Sequence, residues 1–84
     1  MNIKELSRLA EGEAGRVREI RVSDREKQRL QDLGLIRGTL IRRLYRSFSG
    51  DPVAYEFRGA VFALRNTTAG QITVEPEPGR NTWD

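Results

Sequence analysis

Apolar positions recur along this chain at intervals of three or of two, and each interval predicts an element. Ile3, Leu6 and Leu9 lie three apart, which predicts one or two N-terminal helical turns packed on a core before Gly12 and Gly15 interrupt the pattern. In RVREIRV, residues 16 to 22, Ile20 and Val22 alternate with arginines as in a half-buried strand. Val17 is out of phase there and predicts a bulge near the strand start. SDREKQRLQDLG, residues 23 to 34, has the form of a short capped helix. Ser23 can accept from the Glu26 N–H while the Glu26 carboxylate reaches back, a capping box worth about 1 kcal/mol. Leu30 and Leu33 then share one face, and Gly34 sits where a left-handed C-terminal cap is needed.

From Gly38 onward the pattern is β. TLIRRLYRS, VAYEFR, VFALR and ITVE follow one another, with Val53, Tyr55 and Phe57, then Phe62 and Leu64, then Ile72 and Val74 on alternate positions. The strand of residues 39 to 47 is mixed, with Ile41, Arg43 and Tyr45 on one face and Leu40, Arg42, Leu44 and Arg46 on the other. SGDP, residues 49 to 52, is turn chemistry: Gly50 supplies a positive φ, Asp51 follows, and Pro52 begins the next strand where no donor is required. Gly59 marks a second turn, and NTTAGQ reads as a short connection. The tail EPEPGRNTWD has no periodicity, so the domain is set at residues 1 to 75 and residues 76 to 84 are expected to be disordered. For Trp83 in that tail, a frayed end outweighs a docking anchor.

About five short strands, with one short helix between the first two, are too few for a sandwich. They suit a mainly β fold, a small and strongly bent SH3-like barrel whose closure hides the sheet edges. Length agrees: 84 residues make one domain near the lower end of autonomy. Leu, Ile, Val and Phe supply 21 of the 84, enough for one modest core with little apolar surface to spare.

Charge narrows the function classes. Fifteen Lys and Arg against twelve Asp and Glu give +3, and thirteen of the fifteen cations are arginine. They are interspersed, so a solvated surface outweighs a nucleic-acid patch. Without cysteine there is no disulfide framework, and no apolar run of about 18 residues could span a membrane, so the chain reads as cytosolic with no direct membrane insertion. Without histidine or cysteine there is also no triad of the usual kind, no thiolate nucleophile and no soft-ligand metal site. Only carboxylates such as Glu5, Glu11, Glu13, Asp32 and Asp51 remain as candidate ligands, and isolated carboxylates hold a divalent transition metal poorly and without selectivity. The expectation is therefore no enzyme, no cofactor and no tight metal site.

RLQDLGLIRGTLIRRL, residues 29 to 44, followed by SFSGDPVAYEFRG and VFALR, resembles the ferrous iron transport protein A (FeoA) family. The matching residues are Leu30, Leu33, Gly34, Leu35, Gly38, Gly50, Asp51, Pro52, Gly59, Leu64 and Arg65, and the resemblance covers residues 5 to 75. Two turn positions depart from it: Arg37 and Phe48 stand where members often carry proline. The resemblance implies an SH3-like barrel acting as a cytosolic accessory of the membrane ferrous-iron transporter FeoB, with transition-metal binding only a family-level property. Modulation of the transporter's GTPase, or assembly of the complex at its cytosolic GTPase region or membrane part, would be its role, and it would sit at the inner membrane only through that partner. The same module ends iron-dependent repressors, whose helix-turn-helix and metal-ligand part is not found in this sequence, so a free-standing accessory is the better reading.

On this reading Leu30, Leu33 and Leu35 pack in the core, Gly34, Gly38, Gly50, Asp51, Pro52 and Gly59 build turns, and the partner face is expected at the helix end and adjoining strand, Leu35, Ile36, Arg37, Arg43 and Tyr45. Arg42, Arg43 and Arg46 cluster on one strand, where a solvated edge outweighs a phosphate or partner contact. Two rivals stand beside it. A nucleic-acid module would use Tyr45, Phe48 and Tyr55 as stacking platforms and bind with steep salt dependence. A peptide-binding adaptor would use Tyr45, Tyr55 and Trp83, yet the acidic loop and paired tryptophan of SH3 adaptors are missing.

Overall fold

In the structure, a computed structural model that describes residues 2–46 and 50–78, the chain forms one antiparallel sheet. Its strands are β1 Lys4–Glu5, β2 Ala14–Ile20, β3 Leu40–Arg46, β4 Val53–Phe57, β5 Ala60–Leu64 and β6 Ile72–Pro76, in the order β1-β6-β2-β3-β4-β5. A 3-10 turn at Leu6–Arg8 comes after β1, α1 spans Asp24–Asp32, and α2 spans Asn66–Ala69.

Buried residues of β2 through β6 meet in one cluster: Val17, Ile41, Val53, Tyr55, Phe57, Leu64, Ile72 and Val74, joined by Leu6, Leu9, Leu30, Leu35 and Ala69. A sheet whose inner face encloses a single core must curl, and register shifts at Val17/Glu19 and at Arg43/Tyr45 supply local bends. The mainly β, SH3-like architecture is thus as expected. Closure is not: no ladder joins β1 to β5, so the described sheet is open and keeps two edges. The sixth strand, β1, has only two residues, too few to show a period.

Local signals explain most elements. Ser23 Oγ accepts from the Glu26 N–H at 3.3 Å, as the capping box requires, but the Glu26 carboxylate turns forward to Arg29 at 2.7 Å. That guanidinium holds the Glu26 carboxyl below the usual carboxylate range. Val17 is buried at the predicted bulge, and Leu6 and Leu9 are buried at the 3-10 turn, whereas Ile3 is 44% exposed. Gly15, expected to break the pattern, lies inside β2, where a Cβ would come within 3.1 Å of the Glu75 carbonyl oxygen and 3.2 Å of Val74. The ladder continues through Pro76, and the Glu77 N–H donates to the Ala14 carbonyl at 2.9 Å. NTTAGQ contains a helical turn rather than a bare connection, and its Ala69 reaches the core. Trp83 and Phe48 lie outside the described residues.

The end of α1 directs the chain into the segment before β3. Gly34 has φ of 98°; its N–H donates to the Gln31 carbonyl at 2.9 Å, and the Leu35 N–H donates to the Leu30 carbonyl at 2.9 Å. These are the two bonds of a Schellman cap, and Leu35 completes it by entering the core beside Leu30. A Cβ on Gly34 would also approach Arg58 Cγ at 3.0 Å. Gly34→Ala therefore adds steric crowding to the left-handed penalty, and we expect a loss of about 1 to 2 kcal/mol. A urea midpoint unchanged from wild type would contradict that account.

Candidate functional site

Gly34 starts a short, tightly bonded segment that ends where β3 begins. Thr39, buried at 8% exposure, donates from Oγ1 to the Gly34 carbonyl at 3.0 Å and accepts from the Ile36 N–H at 3.1 Å. The Thr39 N–H donates back to the Ile36 carbonyl at 3.0 Å across Gly38, whose φ of 92° suits the third position of a type II turn. Two bonds to β2 fix this turn to the sheet: Gly38 N–H to the Val17 carbonyl at 2.8 Å and Val17 N–H to the Thr39 carbonyl at 3.0 Å. The result is a rigid projection with Ile36, 48% exposed, and the exposed Arg37 at its tip.

Beside this tip runs an open groove of about 510 Å³ between the 36 to 40 segment and the β4–β5 hairpin. Arg16, Arg37, Arg42 and Arg58 contribute cations to its lining, against one acid, Glu56. Their roles differ. Arg16 is tied to Glu77 at 3.1 Å and donates to the Gly38 carbonyl at 3.2 Å, and Arg42 donates to the Gly12 carbonyl at 3.0 Å. Arg37 and Arg58 have no ion pair among the described residues. Arg58, with φ of 57°, and Gly59, with φ of 79°, form the two-residue turn that joins the Phe57–Ala60 pair. Two successive positive φ values are what a type I′ hairpin turn needs.

The expected partner face is only partly assembled. Ile36 and Arg37 are together and exposed, but Leu35 is fully buried as the apolar end of the Schellman cap and is not available to a partner. Arg43 points inward and donates to the Ser7 carbonyl at 2.8 Å and the Leu9 carbonyl at 2.9 Å, so it holds the N-terminal segment against the sheet. Tyr45 is 61% exposed, because the Arg43/Tyr45 bulge moves it off the inward face on which simple alternation placed it. It stands opposite Ala54, away from the groove lining. Tyr55, a candidate stacking platform, is fully buried. Among the expected turn residues, Gly50 has φ of 89°, and Asp51 Oδ1 accepts from the Asn66 N–H at 3.0 Å, anchoring the β3–β4 turn to the start of α2. The Thr39 staple and the Arg43 clamp were not anticipated. A threonine after a glycine and an arginine in a mixed strand carry no distinctive spacing.

No group of three or more acidic side chains gathers to hold a metal among the described residues. Glu5 accepts from Ser7 Oγ at 3.4 Å, Glu13 from the Ala10 N–H at 2.8 Å and Asp32 from Gln28 Nε2 at 3.0 Å, so each serves its own turn. Among the described residues no helix is long and apolar enough to cross a membrane.

These features define a small SH3-like β domain that presents a fixed cationic turn. Residues 4–76 match the FeoA domain model, and the chain belongs to the FeoA family, a family of small accessory domains associated with ferrous iron transport. Solved relatives agree. The FeoA protein of Chlorobium tepidum shares 30% identity at a TM-score of 0.82, over 95% of this chain and 80% of that one. An iron uptake regulatory protein, also FeoA, shares 27% at 0.78 over 92% and 100%. The FeoA of Stenotrophomonas maltophilia complexed with zinc, a prokaryotic SH3 domain protein, shares 25% at 0.75 over 87% and 94%. No curated protein sequence matches the chain.

Arg43 and its cross-strand neighbour Tyr55 can each be tested by substitution. Arg43→Ala removes charge-assisted bonds to two carbonyls and should cost about 2 to 4 kcal/mol, with amide exchange accelerated first around Leu6 to Leu9. Uniform exchange across the chain would refute the clamp. The Tyr55 hydroxyl is buried without a partner among the described residues, and burial pushes it above its ordinary value of 10.0 while the Arg43 charge pulls it down. An unfolded tyrosine ionises near 10, so the folded state keeps this proton when the unfolded state loses it. Stability is then unaffected below that value and falls as pH rises from it through the folded value. Tyr55→Phe should flatten this alkaline loss and change stability at neutral pH by no more than about 1 kcal/mol. Matching alkaline denaturation profiles for the two proteins would contradict this assignment.

Proposed function

We propose that this chain is a non-enzymatic accessory of ferrous-iron uptake that binds the cytosolic region of a FeoB-type transporter and modulates its GTPase or assembles the complex. The observation that carries this reading is the rigid turn bearing exposed Ile36 and Arg37 beside Arg58, an apolar anchor flanked by two cations with no ion pair among the described residues. Family membership supplies the transport context. An anchor held by backbone bonds loses little freedom on docking, and cations around it favour encounter with an acidic surface. The contact set is therefore Ile36, Arg37 and Arg58, with Leu35 supporting it from within the fold and Arg43 left to hold the N-terminal segment.

The test is an NMR titration of labelled protein with the transporter's cytosolic GTPase region, with and without a GTP analogue. Shifts should centre on residues 36 to 38 and 58, and Ile36→Glu with Arg37→Glu should weaken binding at least about tenfold, equivalent to ~1.4 kcal/mol. Absence of shifts at high partner excess would exclude the GTPase region as the direct target.

A further inference from the structure

β5 is an edge strand that none of the usual devices protects along its length. Its sequence, Ala60-Val-Phe-Ala-Leu64, contains no charge and no proline, and nothing pairs with its outer side among the described residues. The register fixes which backbone groups are left over. Phe57 and Ala60 close a two-residue hairpin as a hydrogen-bonded pair, so by alternation Phe62 and Leu64 also bond to β4. Val61 and Ala63 then turn both their N–H and C=O groups away from the sheet.

The flanking side chains favour an added strand. Val61 is 56% exposed and Ala63 is exposed, and the ladder places Ala63 beside Ala54, which stands opposite Tyr45 at 61% exposure. The outer face next to the open edge is thus an apolar strip of Tyr45, Ala54, Ala63 and Val61, interrupted only opposite Val61 by the exposed Glu56, whose carboxylate is turned to Arg42 at 3.9 Å. At the two ends stand Arg58 and Arg65, both exposed and without an ion pair among the described residues.

We propose that the β5 edge captures an extended polypeptide segment as a seventh strand, and that it selects one with apolar alternate residues and carboxylates at both ends. Main-chain bonds to Val61 and Ala63 supply the affinity, and the two arginines supply the selection. A second copy of this chain is disfavoured by the same arginines: antiparallel pairing centred on Phe62 brings Arg65 of one copy next to Gly59 and diagonally near Arg58 of the other. The inference does not rest on the transporter reading, because Ile36 and Arg37 lie across the groove and only Arg58 is shared.

The probe is a nine-residue peptide of alternating threonine and valine with two glutamates at each end, compared with the same peptide ended by lysines. Titrated into labelled protein, the acidic peptide should shift the Val61 and Ala63 amides and slow their hydrogen exchange. It should bind roughly tenfold tighter than the lysine peptide, with the difference shrinking as salt rises. Val61→Pro removes an outward N–H that β4 does not use and should abolish the effect, while Arg65→Glu, which leaves Arg58 at the other end, should remove most of the preference between the peptides. Unshifted β5 amides at millimolar acidic peptide, or equal response to both peptides, would overturn the proposal. Concentration-dependent shifts of the same amides in the protein alone would overturn it too, because a second copy would then occupy the edge.

Discussion

The left-handed backbone at Gly34 is the constraint on which the projecting 36 to 38 turn, the proposed contact surface, depends. A helix arriving at that point must turn sharply, and the positive φ lets the Leu35 N–H reach back to Leu30 while the Leu35 side chain enters the core. With Leu35 buried, the next two residues have nowhere to go but outward. Thr39 then ties the far end of the segment to the Gly34 carbonyl itself, so one peptide group is shared by the helix cap and the projecting turn. Arg58 lies over Gly34 from the β4–β5 hairpin, and this close approach brings the third residue of the proposed contact set to the same place. Helix end, turn and hairpin are therefore positioned by a single residue without a side chain.

Arginine does three kinds of work here, and geometry alone separates them. Arg43 directs its donors to the Ser7 and Leu9 carbonyls and Arg42 to the Gly12 carbonyl, so both tie the chain that leads into β2 to the β3 strand, Arg42 also lying 3.9 Å from Glu56. Arg16, Arg18, Arg21 and Arg29 pair with nearby carboxylates at the surface, where such pairs contribute little to stability. Arg37, Arg58 and Arg65 sit at turns or strand ends, where the backbone direction carries them away from neighbours. Sequence composition treats all of these alike, which is why a net charge of +3 said little about partners.

Features with a short-range physical signature were legible in the sequence. The helix of residues 24–32, its Ser23 cap and Gly34 stop, the alternation of β4 and the bulge near Val17 all derive from spacing within a few residues. Long-range consequences were not legible. Arg43 was expected on a partner face because strand alternation says which side a residue takes, not that an unsatisfied 3-10 turn waits there. The sequence places Leu35 both in the core and on the partner face, and only the core placement holds, because the Schellman cap draws Leu35 onto Leu30. Tyr45 is at the surface as expected, but the bulge that separates it from Arg43 has no sequence marker comparable to an out-of-phase valine.

The open edge is the clearest case of a tertiary fact that changes a functional argument. An SH3-like fold read from five strands suggests a closed barrel, and closure would satisfy every backbone group in β5. In the described sheet, β1 pairs with β6 and leaves β5 with one partner. An uncharged strand such as Ala60–Leu64 is then an exposed template, a condition that soluble proteins avoid by placing charge or proline on the strand itself. Here the cations stand at its ends instead. That placement discourages a strand with the same charges and leaves the middle open to one with opposite charges. On the two proposed readings, the edge acts as a filter, and the domain carries two separately constructed binding surfaces that meet at Arg58.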